Sequence, residues 1–395
     1  MSQRFTVGPV ADDRELEAFG SIVKQVYNLI DDVRRREWVD LAGRENVRVV
    51  RAGSTVVGGL ILIPMGQWFG GRSLPMTGVA AVAVAPEHRS HGAATELMRA
   101  AVREMSERGV PLSALFPMTQ PLYRAVGYER AGVEYRVTAP TSAMDGGDRS
   151  LAIRAATAAD EPAIEEVYRR RARVSQGHLD RGRYAWERAR RATGDIAYGY
   201  VVEGSGGIEG YVSFVHRGKP GGVLDLWCLD LVALTPGAAK RLVAFFADHR
   251  SSATNVAWRG SPGDPVLAAL REQAEAKVTV NYVWMLRLVD VAAALTGRGY
   301  AAGVAGEVHL DVAVDDVVPE NGGRWLVRVA DGRAEVARGG RGTVRCDVRS
   351  LAPLYTGFQS PAELRAAGVI DATETDLAAA AAVFAGPQPW MADYF

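Results

Sequence analysis

Residues 82–94 read Val-Ala-Val-Ala-Pro-Glu-His-Arg-Ser-His-Gly-Ala-Ala, and no other stretch constrains the fold as much. The β-branched start reads as a strand, and Pro86, which has no N–H for a ladder, must end it near Ala85. Leu97, Met98, Ala101 and Met105 then recur at helical spacing, which predicts a helix from Ala93 to about Glu107. Gly92, Ala93 and Ala94 place no bulky side chain over the first-turn N–H groups. Those donors and the positive end of the helix dipole form a socket suited to a pyrophosphate, with Arg89, His88 and His91 adding positive charge at its rim. Strand–helix junctions also carry such turns for packing alone, and the segment by itself leaves that reading open. A dinucleotide loop is not expected, because the turn lacks Gly-x-Gly-x-x-Gly, and a kinase-type phosphate loop fails for want of Gly-Lys-Ser/Thr.

At 395 residues, 48% hydrophobic and 23% charged, the chain is long enough for two or three domains with cores of their own. Lysine plus arginine equals aspartate plus glutamate at 46 each, so no net field favours nucleic acid or an anionic membrane. The basic runs Arg34–Arg36 and Arg169–Arg173 have helical surroundings and read as solvated faces. Cys228 and Cys346 lie far apart without a metal-binding or Cys-x-x-Cys pattern, so neither a metal nor a disulfide framework is expected, and a reducing cytoplasm fits. The polar N-terminus and the lack of a long apolar run argue against a signal peptide or a membrane span.

The chain reads as three units, 1–140, 150–285 and 286–395. In the first, a helix near Glu15–Asn28 precedes strands Val47–Ala52 and Val56–Met65, joined by a Gly53-Ser54 turn. A Gly78–Ala85 strand, the helix above, a Pro111–Phe116 strand, a short helix through Tyr123 and a strand after Tyr128 follow, an order that suits a mixed α/β sheet. Thr141–Ser150 has no apolar period and reads as a linker. The second unit repeats the order from Leu151, with strands at Tyr198–Val202, Gly210–His216 and Leu224–Val232 and a helix from Pro236. Its turn, Leu234–Ala239, lacks Arg-x-x-Gly-x-Ala, so this copy is expected to be degenerate and without cofactor. The third unit begins near Trp284 and contains an Asp331-Gly332 hairpin signal and three short helices. It closes in Gln388–Phe395, whose aromatics argue for a buried tail.

The pattern Val-x-Val-x-Pro-x-x-Arg-x-x-Gly-x-Ala resembles the acetyl-CoA signature of the GNAT acyltransferases. With Pro121-Leu-Tyr-Arg-Ala-Val-Gly-Tyr128, a second GNAT-like half, a third unit like a sterol carrier protein and a terminal Phe, the chain resembles the enhanced intracellular survival (Eis) family of N-acetyltransferases. The resemblance implies an α/β (α+β) fold of tandem GNAT domains, the second degenerate, followed by a sterol-carrier-protein-like α+β domain. It departs from the family's Tyr-x-x-Phe-Gly-Tyr at Val126, a swap expected to affect packing more than chemistry.

The family's chemistry carries over residue by residue. An amine attacks the thioester of acetyl-CoA, so a base and a proton donor for the thiolate are needed. The resemblance makes Tyr123 the general acid and the α-carboxylate of Phe395 the base, its low intrinsic basicity raised by burial among Trp390, Tyr394 and Phe395. Val82, Ala83 and Val84 would offer backbone groups to the pantetheine arm. Arg89, Ser90, His91, Gly92, Ala93, Ala94 and Thr95 would cradle the pyrophosphate, with Met118 and Thr119 flanking the arm. Tyr128 reads as core. The implied acceptor is a primary amine of an aminoglycoside-like small molecule, a lysine or a peptide, with Asp31, Asp32, Trp38 and Asp393 as candidate pocket residues; the family's assembly is a homohexamer. The alternative is a lipid-binding protein with a vestigial acyltransferase half.

Overall fold

The computed structural model describes residues 5–28, 39–144, 148–190, 195–218 and 224–395. Asp31, Asp32, Trp38 and the Arg34–Arg36 run lie outside the described residues. The first half comprises β1 (Phe5–Pro9), α1 (Asp13–Tyr27), β2 (Val47–Ala52), β3 (Thr55–Phe69), β4 (Arg72–Val84), α2 (Ala93–Glu107), β5 (Leu112–Leu115), α3 (Gln120–Arg124) and β6 (Glu129–Pro140). The second comprises β7 (Ala152–Ala155), α4 (Glu161–Arg173), β8 (Leu179–Asp180), α5 (Arg183–Arg190), β9 (Tyr198–Gly204), β10 (Gly207–Gly218), β11 (Leu224–Ala233), α6 (Pro236–Ala247), β12 (Ala253–Arg259), α7 (Pro265–Ala268) and β13 (Lys277–Leu288). Beyond them lie α8 (Val291–Gly297), β14 (Gly306–Val312), β15 (Gly323–Ala330), β16 (Arg333–Arg338), β17 (Val344–Cys346), α9 (Val348–Thr356), α10 (Pro361–Ala366) and α11 (Glu374–Val383).

Both halves share one sheet, ordered β1-β2-β3-β4-β5-β13-β6-β12-β11-β10-β9-β7, with β8 on the far part of β3. The order is symmetric about the β13–β6 pair, because the halves exchange their last strands: β13 lies antiparallel to β5, and β6 antiparallel to β12. The stretch from Trp284, where the sequence reading began the third unit, is therefore the inner end of this shared strand. Arg287 on β13 fixes the exchange. Fully buried, it donates to Val126 O at 2.7 Å and pairs with Asp315 at 2.5 Å. The proposed linker is also partly core, since Thr141, Ala143 and Met144 form a buried turn against the second half. Residues 145–147 of it lie outside the described residues.

The third unit's sheet runs β16-β15-β14-β17. Asp331 (φ +51°) and Gly332 (φ +73°) close β15 to β16 in the left-handed geometry that a two-residue hairpin needs. Leu310, Val327, Leu377 and Phe384 of this unit share one continuous core with Phe19, Ile63 and Met76 of the first half. That shared core carries the end of the chain to the first half's sheet. Trp390 bridges Val133 of β6 and packs edge-on to His178, with ring centroids 4.4 Å apart. Asp393 meets the buried Arg181 at 2.9 Å, and Phe395 lies 7% exposed with its ring 5.5 Å from that of Phe116.

Candidate active site

β4 and β5 run parallel only from Met76↔Leu112 to Gly78↔Ala114 and then part. Beyond Gly78 the β5-facing edge of β4 has no strand partner among the described residues. The register of β3 and β4 slips between Gly59 and Ile61, opposite Ala81, which holds φ +52°. A non-glycine residue in that region is strained, and such strain gathers where backbone groups are aimed at a ligand. The bulge turns the Val82–Val84 backbone, and Tyr27 of α1 donates to Val82 O at 3.1 Å. Nothing in Ala80-Ala-Val-Ala announces this feature, and the sequence reading missed both it and Tyr27.

After β4, Pro86–His88 form one tight turn and the chain enters α2 through Ser90 (φ +62°) and Gly92 (φ +90°). Gly92 caps α2 without a side-chain hydrogen bond, and the first bond of the helix, Glu96 N to Gly92 O, leaves the N–H groups of Ala93, Ala94 and Thr95 pointing out of the turn unmatched by the helix. Alternating left-handed residues before a helix turn successive N–H groups into one concavity suited to an anion. Arg89 folds over this turn, its Nε 3.3 Å from Val84 O, while Ser90, His91 and Gly92 are exposed. The donor set fits a pyrophosphate. In the second half the equivalent helix, α6, is capped by its own Thr235, whose hydroxyl accepts from Ala238 N at 3.1 Å and donates to Glu209 at 2.7 Å. Its donor is used, and a carboxylate already stands there. The matching divergence of β11 and β12 is bridged by Arg259, which donates to Leu229 O at 3.1 Å.

Tyr123 stands on the single turn of α3. Gly127, at φ +86°, reverses the chain so that Tyr128 N returns to Tyr123 O at 3.1 Å. The buried Val126 packs under α2, and Tyr128 is core, 2.7 Å from Ser113 Oγ. Tyr123 is 6% exposed and opens into a cavity along the bulged edge of β4. Met118 and Phe116 border the same cavity, as do Tyr394 and Phe395 from the end of the chain. Burial, and then neighbouring tyrosines, push the Tyr123 phenol well above its ordinary value. Thr119 is exposed at the start of α3. Trp390, grouped in sequence with the residues around the terminus, instead packs with Val133 and Tyr135, so Phe116, Tyr394 and Met65 surround Phe395.

Asp393 borders a neighbouring cavity but is committed elsewhere. Arg181 Nε donates to its Oδ1 at 2.9 Å and Tyr168 OH to its Oδ2 at 3.0 Å, while Arg181 also holds Asp230 at 2.6 Å. These partners are too far apart in sequence for any spacing to show them. Arg171, read as a solvated residue, is half-buried with its guanidinium 5.9 Å from the Trp390 ring.

A family profile described as "Acetyltransferase (GNAT) domain" matches residues 10–131, a second of the same description matches 177–288, and a sterol carrier protein domain matches 291–392. A GCN5-related N-acetyltransferase from Anabaena variabilis is 37% identical, covering 99% of this chain and 100% of its own, with a TM-score of 0.94. Another, from Kribbella flavida, is 30% identical over 100% of this chain and 99% of its own, with a TM-score of 0.86. N-acetyltransferase Eis of Mycobacterium tuberculosis is 26% identical over 86% of both chains. The chain belongs to the Eis-family GCN5-related N-acetyltransferases. It is thus an acyl-transferring enzyme of tandem GNAT domains followed by a sterol-carrier-like domain, and the lipid-binding alternative is not favoured. Among the described residues no helix is long and apolar enough to cross a membrane, and no group of three or more His, Cys, Asp or Glu could hold a metal ion.

Proposed function

We propose that this Eis-family enzyme is an acetyl-CoA-dependent N-acetyltransferase of primary amines in which Tyr123 is the general acid and the α-carboxylate of Phe395 the general base. One observation carries the reading: Tyr123 of the first half and Phe395 at the end of the chain border one cavity beside the unpaired edge of β4. Acetyl-CoA, when bound, supplies the thioester whose acetyl carbon the amine attacks. Val82, Ala83 and Val84 pair with the pantetheine arm as a strand would, Met118 and Thr119 flank it, and the turn from Arg89 through Thr95 takes the pyrophosphate.

The Phe395 carboxylate accepts the ammonium proton, directly or through a water, and Tyr123 gives its proton to the departing thiolate. A phenol raised by burial is a weaker donor in water. A thiolate released into a buried site is correspondingly more basic, as burial, and then the charges of Asp347 and Asp311, push the Cys346 thiol up to about 12. Donor and acceptor therefore rise together. The second half, with its capped α6 and bridged strand edge, supports the tail rather than a second active site. The family resemblance extends the proposal to a cytoplasmic homohexamer without nucleic-acid partners, and sedimentation velocity checks the assembly.

The test is Tyr123→Phe, which keeps the ring and removes only the proton donor. Turnover is expected to fall about 100-fold or more while acetyl-CoA affinity by calorimetry stays near that of the parent. Turnover at the parent level would make Tyr123 a packing residue.

A further inference from the structure

A second cavity, of about 360 Å³, shares Tyr184, Arg188, Tyr394 and Phe395 with the Tyr123 cavity and continues between the two halves. Its size suits a small acceptor. Its charge is not what a polycation needs. Arg136 of β6 and Arg259 of β12 border it, with Trp227 and Asn281. Beneath them lies one carboxylate, the fully buried Glu134. Its Oε1 accepts from Arg259 Nε at 3.2 Å, Arg136 Nη2 at 3.3 Å and Asn281 Nδ2 at 3.1 Å. Two guanidinium charges thus share one negative charge.

Arg136 is further crowded. Its guanidinium lies 3.9 Å from the Trp227 ring, whose ring also takes Arg217 at 4.2 Å. The buried Nε of Arg136 has no acceptor among the described residues. Burial and then the Arg259 charge pull the Arg136 guanidinium below its ordinary value, the direction that crowded like charges impose. Of the cavity's other charged groups, Asp393 already serves Arg181 and Tyr168, the Phe395 α-carboxylate is the base of the proposed reaction, and Arg188 adds a third guanidinium. A cavity with surplus guanidinium charge calls for an anion, and arginine forks match carboxylates and phosphates.

Resting on the acetyltransferase reading, we propose that the acceptor is a primary amine that also carries an anionic group, a carboxylate or a phosphate. The Arg136–Arg259 face holds the anion while the amine is presented to Phe395. Polycationic amines meet like charge at that face.

Matched acceptors with acetyl-CoA test this: ω-amino carboxylates against their methyl esters, ω-aminoalkyl phosphates against the parent amino alcohols, and an aminoglycoside. The anionic member is expected to show a kcat/KM about tenfold or more above its neutral partner and above the aminoglycoside, and the better anion identifies the headgroup. Arg136→Gln, checked for an unchanged fold by thermal melting, is expected to raise KM for the anionic amine about tenfold and leave KM for acetyl-CoA unmoved. Equal or better turnover of esters or of the aminoglycoside, or a preference that survives Arg136→Gln, would overturn the substrate class and leave the acetyltransferase standing. Acetyl transfer to none of these amines, with no acetyl-CoA binding, would overturn both.

Discussion

Gly78 lies where the end of the chain meets the first sheet, and a Cβ there would come within 2.7 Å of the Phe395 ring as well as against Met65. Met65 can swing away, but the tail cannot move without taking its carboxylate along. Gly78→Ala is therefore expected to lower kcat about tenfold or more with KM for acetyl-CoA nearly constant, read from initial rates. At Gly92 the limit is conformational, since a Cβ would meet nothing but φ is +90°. Gly92→Asp adds strain and negative charge at the anion socket, and calorimetry should show acetyl-CoA affinity down by about tenfold, roughly 1.4 kcal/mol. Unchanged affinity in a folded variant would remove the pyrophosphate assignment. Tyr123 sets a pH expectation. Because its phenol is raised, it stays protonated through the alkaline range, and kcat should show no fall near pH 10 of the kind an ordinary tyrosine acid would give. A stopped pH profile with such a limb, absent in Tyr123→Phe, would contradict this.

At the scale of elements, the tail is clamped by groups from the second half. Asp393→Asn leaves Arg181 with Asp230 alone, so stability should drop by about 1–3 kcal/mol in chemical denaturation. kcat should drop with it while acetyl-CoA affinity holds; a stability loss with unchanged kcat would show that the clamp does not position Phe395. His178, edge-on to Trp390, is held well below its ordinary value by burial and then by Arg171 and Arg181. The unfolded chain therefore takes up a proton that the native state refuses, and stability is lost as pH falls below about 6.5. Melting between pH 7.5 and 5 should show that slope in the parent and a flatter one in His178→Gln. Periodicity made α2 legible to the residue, Ala93–Glu107, and Asp331-Gly332 announced its hairpin. The exchange of β6 and β13 was not legible, because a strand's sequence sets its buried faces and not its neighbour. The Ala81 bulge was equally silent, since alanine carries no preference for a positive φ.

Across the whole molecule, each unit contributes what the others lack. The first half keeps the open strand edge and uncapped helix, the second has filled both equivalents and anchors the tail, and the third carries the chain end back to the first. The aromatic tail was readable as buried from composition, and Trp390, Met391 and Phe395 are at most 7% exposed, whereas Tyr394 is 37% exposed. Its destination came only from the fold, as did the Arg181 network that receives it. Whether the α-carboxylate of Phe395 does the chemistry is decided by adding one glycine after Phe395. The addition displaces that carboxylate by about 3.3 Å while keeping the Phe395 ring and the clamp. With an accepted amine, the extended enzyme should bind acetyl-CoA and melt as the parent does yet turn over at least about 100-fold more slowly. Full turnover by the extended chain would contradict that role.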